Sequence, residues 1–163
     1  MLSVWRITSK KFTKAAFNGE GARLYGGRWN SPGTSLIYTA ESKSLAVLEI
    51  LVHLDSPDLL RKYVLFEVRI EDSIVTPLDP ASLPKNWRHD PPPPDAQKIG
   101  DEWATNTRSA VLQVPSAIVP GEFNYLLNPR HPDFRKLKIG QPQLFFFDLR
   151  LARSRKSKVN ELF

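Results

Sequence analysis

The chain has 163 residues, 41% of them apolar, and no cysteine, which excludes disulfides, thiol nucleophiles and thiolate metal sites and suits one globular domain. Three scattered histidines offer no pattern for a metal centre. The net charge of +6 is uneven, with 10 basic and 9 acidic side chains in residues 1–80 against 13 and 8 in residues 81–163, and "RLARSRKSK" alone holds five of the basic groups.

In chain order, "SVWRIT" (3–8) reads as a strand and is followed by "YGGRWNSPG" (25–33). There Gly26 and Gly27 admit positive φ and close approach of a ligand to the backbone, and Arg28 can present a planar fork of donors to a phosphate or carboxylate. The same residues also suit a tight turn whose Trp29 plugs the edge of the core. The spacing matches neither a Walker loop nor a G-x-G-x-x-G motif. A further strand, "SLIYTA" (35–40), leads into a helix from Ser42 to Leu54 that is apolar around most of its circumference. Its core, "LAVLEILVHL", is broken at Glu49 and His53 and is too short to span a bilayer; with no signal-peptide pattern at the N-terminus, a cytoplasmic protein is expected. Glu49 and His53 share one stripe with Ser42 and Ala46, which is either the solvent face of the helix or the wall of a cleft. In a cleft, a polar group must meet the Glu49 carboxylate, because burying it alone costs several kcal/mol.

"KYVLFEVRI" (62–70) alternates Val64, Phe66, Val68 and Ile70 with Leu65, Glu67 and Arg69, a strand with one apolar face. Four prolines in "RHDPPPPDAQ" enforce an extended path, read as a surface loop between two tryptophans that seek burial, and a short helix follows from about Asp95 to Trp103. "SAVLQV" and "QLFFFDLRL" are strand-like. Between them, in "VPSAIVPGEFNYLLNP" (114–129), Ser116 lies between β-like pieces with no base beside it and no nucleophile elbow around it. It is read as a hydroxyl that positions another group, or one that satisfies its own turn. Strands without βαβ alternation predict an α+β domain.

These pieces, in this order, resemble the RES-domain family, named for its Arg, Glu and Ser signature. The likeness is carried by "VWRI", "FNGEGARLYGGRWNSPGTSLIYTAES", "SLAVLEILVHL", "LPKNWR", "IGDEW" and "VPSAIVPGEFNYLLNP", followed by "HPDF" and "FFFDLRL". It covers residues 3 to 151, and the domain is taken as 1–151 with a basic tail at 152–163. The resemblance implies a core similar to the ADP-ribosyltransferases, two small, mainly antiparallel sheets with flanking helices enclosing an NAD cleft. It implies an NAD-consuming toxin, with NAD as substrate and no cofactor or metal, that cleaves the nicotinamide–ribose bond with water or phosphate as acceptor; some members are ADP-ribosyltransferases. The implied partner is an Xre-like antitoxin that covers the cleft and through which alone DNA is touched, with room for a homodimer inside the complex. The signature falls on Arg28, Tyr38, Glu49 and Ser116, and Arg6 matches the pocket's second arginine. Arg28, Tyr38 and Glu49 are expected in catalysis, and Arg6, Arg28, Tyr38 and Ser116 in NAD binding. The basic C-terminal region leaves a nucleic-acid-binding module as the reading from another class.

Overall fold

β1 (Leu2–Ser9) and β3 (Tyr63–Ile70) pair antiparallel over their whole length, from Leu2 opposite Ile70 to Ser9 opposite Tyr63. They are the backbone of a computed structural model that describes residues 1–152. Apart from Ala152, the expected basic tail therefore lies outside the described residues. β3 is buried on both faces: Val64 and Phe66 pack with Ala16, while Tyr63 and Leu65 meet Leu45, Ala46 and Leu51 of the helix that precedes the strand. This departs from the single apolar face expected, and only Arg69 remains exposed on the strand.

On one side of this pair, β7 (Lys138–Ile139) and β8 (Gln143–Phe145) both add to β3. Elsewhere β2 (Ile37–Ala40) pairs with β6 (Phe123–Leu127), β6 with β5 (Val111–Pro115), and β5 carries β4 (Val75–Pro77) in parallel. The strand order is β4-β5-β6-β2-β1-β3-β7, with β8 also on β3. The two small sheets expected are thus halves of one sheet, joined where β1 meets β2 at a single register position, Trp5 opposite Ala40. A ladder that stops after one pair leaves backbone groups to satisfy and a fork between the halves.

Three α-helices flank the sheet. α1 (Glu20–Tyr25), which the sequence did not reveal, ends at Gly26 with φ +70. α2 (Lys43–Leu51) begins where expected, with the Ser42 hydroxyl accepting from the Leu45 N–H at 3.0 Å as its N-cap. It stops before Leu54, and it buries Leu45, Ala46 and Leu51 against Ile7, Ala40, Tyr63 and Leu65. α3 (Pro94–Thr105) starts on the last proline of the run, where a missing N–H costs nothing. The segment 143–151 is not one strand: past Phe145 the chain turns, and Asp148 accepts the Arg150 N–H at 2.9 Å at the start of a 3-10 turn. Among the described residues no helix is long and apolar enough to cross a membrane.

Candidate active site

The fork between the halves of the sheet opens into a cleft of about 790 Å³, within the range of pockets that enclose cofactor-sized ligands. β1 supplies Trp5 and Arg6, β2 supplies Tyr38 and Ala40, and α2 supplies Ala46 and Glu49. The glycine loop, the proline-rich loop and the turn after Ser116 close the remaining sides.

The glycine loop is both a turn and a cleft wall. Gly27 and Asn30 bridge to each other, and the wholly buried Asn30 donates from Nδ2 to the carbonyls of Ala22 at 2.9 Å and Thr34 at 3.1 Å. The Tyr38 hydroxyl donates to Asn30 Oδ1 at 2.6 Å and accepts the Trp29 N–H at 3.1 Å. Gly27 is required there, because a Cβ would meet that hydroxyl at 2.6 Å. Burial pushes the Tyr38 phenol well above its ordinary pKa, so the group stays protonated and offers the cleft its ring rather than acid–base chemistry. Trp29 is buried as expected, stacked on Trp87 with centroids 5.6 Å apart.

Arg28 spends one nitrogen on the protein: Nη1 donates to the carbonyls of Trp87 at 2.7 Å and His89 at 2.8 Å, pinning the proline-rich loop. Its Nε and Nη2 have no partner among the described residues. Arg6 sits in the fork itself. Nε donates to Ala16 O at 2.8 Å and Nη1 to Tyr38 O at 3.0 Å, so the guanidinium satisfies a β2 carbonyl where the ladder to β1 fails. Burial pushes its pKa down to about 10, which still leaves it charged at neutral pH. Among the described residues neither arginine has a carboxylate partner, so the cleft holds two cations awaiting an anion.

Glu49 faces the cleft from α2, one turn after Ala46. The polar group that meets it is Ser116, whose hydroxyl donates to Oε1 at 2.9 Å. Ser116 Oγ itself accepts the N–H groups of Ile118 and Val119, each at 3.1 Å. A hydroxyl has one donor and two acceptor positions, so that of Ser116 is saturated. Ser116 is also fully buried behind the residues that line the cleft. Of the two roles read from the residues around it, the geometry provides both: Ser116 positions another group, which is Glu49, and satisfies its own turn. His53 lies at the exposed edge of the cleft just past α2.

Gln97, Arg88, Asp90 and Asn124 also border the cleft, outside the set of expected site residues. Gln97 of α3 donates from Nε2 to Gly27 O at 3.0 Å, and Arg88 lies over the Trp87 ring at 4.7 Å beside Asp90. Asn124 of β6 is 8% exposed and donates from Nδ2 to Thr39 O at 3.3 Å. All four lie in segments already quoted, Arg88 in "LPKNWR", Asp90 and Gln97 in "RHDPPPPDAQ" and Asn124 in "VPSAIVPGEFNYLLNP", but no spacing marks any of them as a site residue.

Comparison with known proteins follows the same outline. The family model described as RES domain matches residues 3–148. "Toxin Res" of Yersinia enterocolitica is 45% identical over 151 residues, which are 92% of this chain and 99% of that protein. "Prs ADP-ribosylating toxin" of a Sphingobium species is 38% identical over 156 residues, covering 93% and 97%. The crystal structure of the M. tuberculosis MbcT-MbcA toxin-antitoxin complex holds a chain of the same fold, with a TM-score of 0.74 at 21% identity over 93% of this chain and 87% of that one.

Proposed function

The chain belongs to the RES-domain family, and from that premise we propose that it is the toxin of a toxin–antitoxin pair and cleaves the nicotinamide–ribose bond of NAD, with water or phosphate as acceptor. The observation that carries this reading is the charge arrangement of the cleft. Among the described residues, two arginines without carboxylate partners lie on its fork and glycine-loop sides, and a carboxylate without a cationic partner, held by a buried hydroxyl, lies on α2.

A pyrophosphate carries two negative charges, which the open donors of Arg28 and Arg6 meet by charge-assisted hydrogen bonds. That leaves the nicotinamide riboside half for the Glu49 side. Breaking the C–N bond sends its electron pair to the ring nitrogen, which turns from cationic to neutral, so no acid need protonate the leaving group. The ribose develops oxocarbenium character, and a carboxylate beside it stabilises that charge and takes a proton from an attacking water. The products are nicotinamide, ADP-ribose and a proton, or with phosphate the ADP-ribosyl phosphate. The Tyr38 ring supplies a flat surface for the nicotinamide or ribose.

The name of the Sphingobium relative favours a second reading, ADP-ribosyl transfer to a protein, in which a nucleophile of the target replaces water. The names of the relatives also support an antitoxin partner, here an Xre-like protein that covers the cleft and carries any contact with DNA. Tyr25 at 84% exposure and Val52 at 55% give the cleft an apolar rim suited to such a cover. Purified protein incubated with NAD is expected to release nicotinamide, and radiolabel on the adenylate half is expected in small molecules. Label on a macromolecule selects the second reading, and no release of nicotinamide refutes both.

A further inference from the structure

Asn124 is 8% exposed, borders the cleft, and has one polar atom with no use inside the protein. Its Nδ2 donates to the Thr39 carbonyl at 3.3 Å, whereas Oδ1 has no hydrogen-bond partner among the described residues. No fully enclosed side-chain oxygen or nitrogen there lacks a partner, so Oδ1 must reach open space, and the space Asn124 borders is the cleft. The amide cannot turn around: a flip would set Oδ1 against the Thr39 carbonyl, two acceptors face to face, and lose the only bond that Nδ2 makes. Asn124 therefore presents the Oδ1 acceptor to whatever the cleft binds, with one of its two Nδ2 hydrogens held by Thr39.

Its position in the sheet fixes which part of a ligand it meets. Asn124 stands opposite Ala40 on β2 and opposite Val114 on β5. The next pair along is Phe123 with Pro115, and Ser116, which holds Glu49, follows Pro115. Asn124 and Glu49 thus border the same end of the cleft, together with Ala40, Ala46, Ala117 and Ile118. Small apolar walls around one acceptor suit a planar ring with one hydrogen-bond donor at its edge.

We propose that Asn124 is the residue that reads the carboxamide of nicotinamide, its Oδ1 accepting an amide N–H, so that the site takes nicotinamide dinucleotides and rejects those bearing nicotinic acid. This rests on the NAD reading above. A nicotinate carboxylate has no hydrogen to offer and sets a negative oxygen against Oδ1. Sites that hydrogen-bond a substrate group reject analogues lacking it far more strongly than apolar pockets do.

The test compares NAD with its nicotinic-acid counterpart as substrates, and nicotinamide with nicotinate as free ligands followed by ligand-observed NMR. Wild type is expected to cleave NAD at least about a hundredfold more efficiently and to bind nicotinamide but not nicotinate. Asn124→Ala and Asn124→Ser are expected to bring the cleavage ratio within about tenfold of unity. The ratio within one variant does not depend on how much of it is folded, so loss of stability cannot imitate this result. Should the variants lose both dinucleotides equally and keep the ratio, Asn124 contacts the ribose and the proposal fails. Should wild type accept both dinucleotides alike, it also fails, while the NAD reading stands. Nicotinamide bound through Asn124 in a protein that leaves NAD intact keeps this assignment and removes the reaction.

Discussion

Glutamine at position 49 keeps the shape of the side chain and a hydrogen-bond partner for Ser116 but removes the negative charge. Glu49→Gln is therefore expected to lower nicotinamide release by about 10²–10⁴-fold with the melting temperature little changed, as followed by single-turnover assay and calorimetry. Ser116→Ala removes the group that aims Glu49 and leaves the Ile118 and Val119 N–H groups without their acceptor. It should cost about 1–3 kcal/mol of stability and lower kcat with KM almost unchanged, because the saturated hydroxyl touches no substrate. Arg28→Lys replaces a planar fork by a point charge that, with the Trp87 and His89 carbonyls held, has one donor left for an anion and no bidentate contact, and we expect KM for NAD to rise about tenfold or more. Arg6 is a desolvated cation without a carboxylate, a cost in stability that binding an anion relieves. Pyrophosphate should accordingly raise the melting temperature of wild type and raise that of Arg6→Met much less. At this scale the sequence showed Arg6, Arg28, Tyr38 and Glu49 because they sit in recognisable motifs, and the structure puts all four on one cleft. It could not show that Tyr38 locks the glycine loop or that Ser116 is saturated, since those are contacts across 8 and 67 residues of chain.

At the level of elements, the glycine loop is held from behind by α3. A Cβ on Gly100 would lie 1.9 Å from the Trp29 carbonyl oxygen, a backbone atom that cannot swing aside. Gly100→Ala should therefore destabilise by about 3 kcal/mol or more and weaken NAD binding as the loop lifts. Gly21→Ala is the contrast: it lies in α1 with nothing within 4 Å of the added methyl, so chemical denaturation should show a gain of about 0.5–1 kcal/mol. Equal effects of the two substitutions would contradict this packing. α2 was legible from its long apolar run and α3 as a short helix after the proline run, while the Ser42 cap and the start at Pro94 came from the structure. α1 was not, being six residues with a glycine among them and no buried side chain. β4 and β7, at three and two residues, are too short to carry an alternating pattern and exist only because β5 and β3 offer them an edge. "FFFDLRL" reads as strand by composition, but Asp148 turns the chain away from β3.

Over the whole molecule, the cleft exists because one sheet is nearly two, with β1 and β2 sharing a single pair and Arg6 filling the fork. Long-range register of this kind leaves no local trace, so the two halves around a cleft were expected only through the family likeness, and their junction at a single pair was not readable. Among the described residues, those that border the cleft run in sequence from Trp5 to Asn124. Removing residues 153–163 is expected to leave the rate of NAD cleavage within about twofold and to lower any salt-sensitive adsorption to nucleic acid. Binding to a defined DNA or RNA sequence that is lost with those residues would instead favour the nucleic-acid reading. The central claim is tested most directly by incubating the purified full chain with NAD and identifying the products by mass, with and without inorganic phosphate. Nicotinamide together with ADP-ribose or its phosphate, absent in Glu49→Gln, is the predicted result; NAD recovered unchanged under both conditions from folded protein would contradict it.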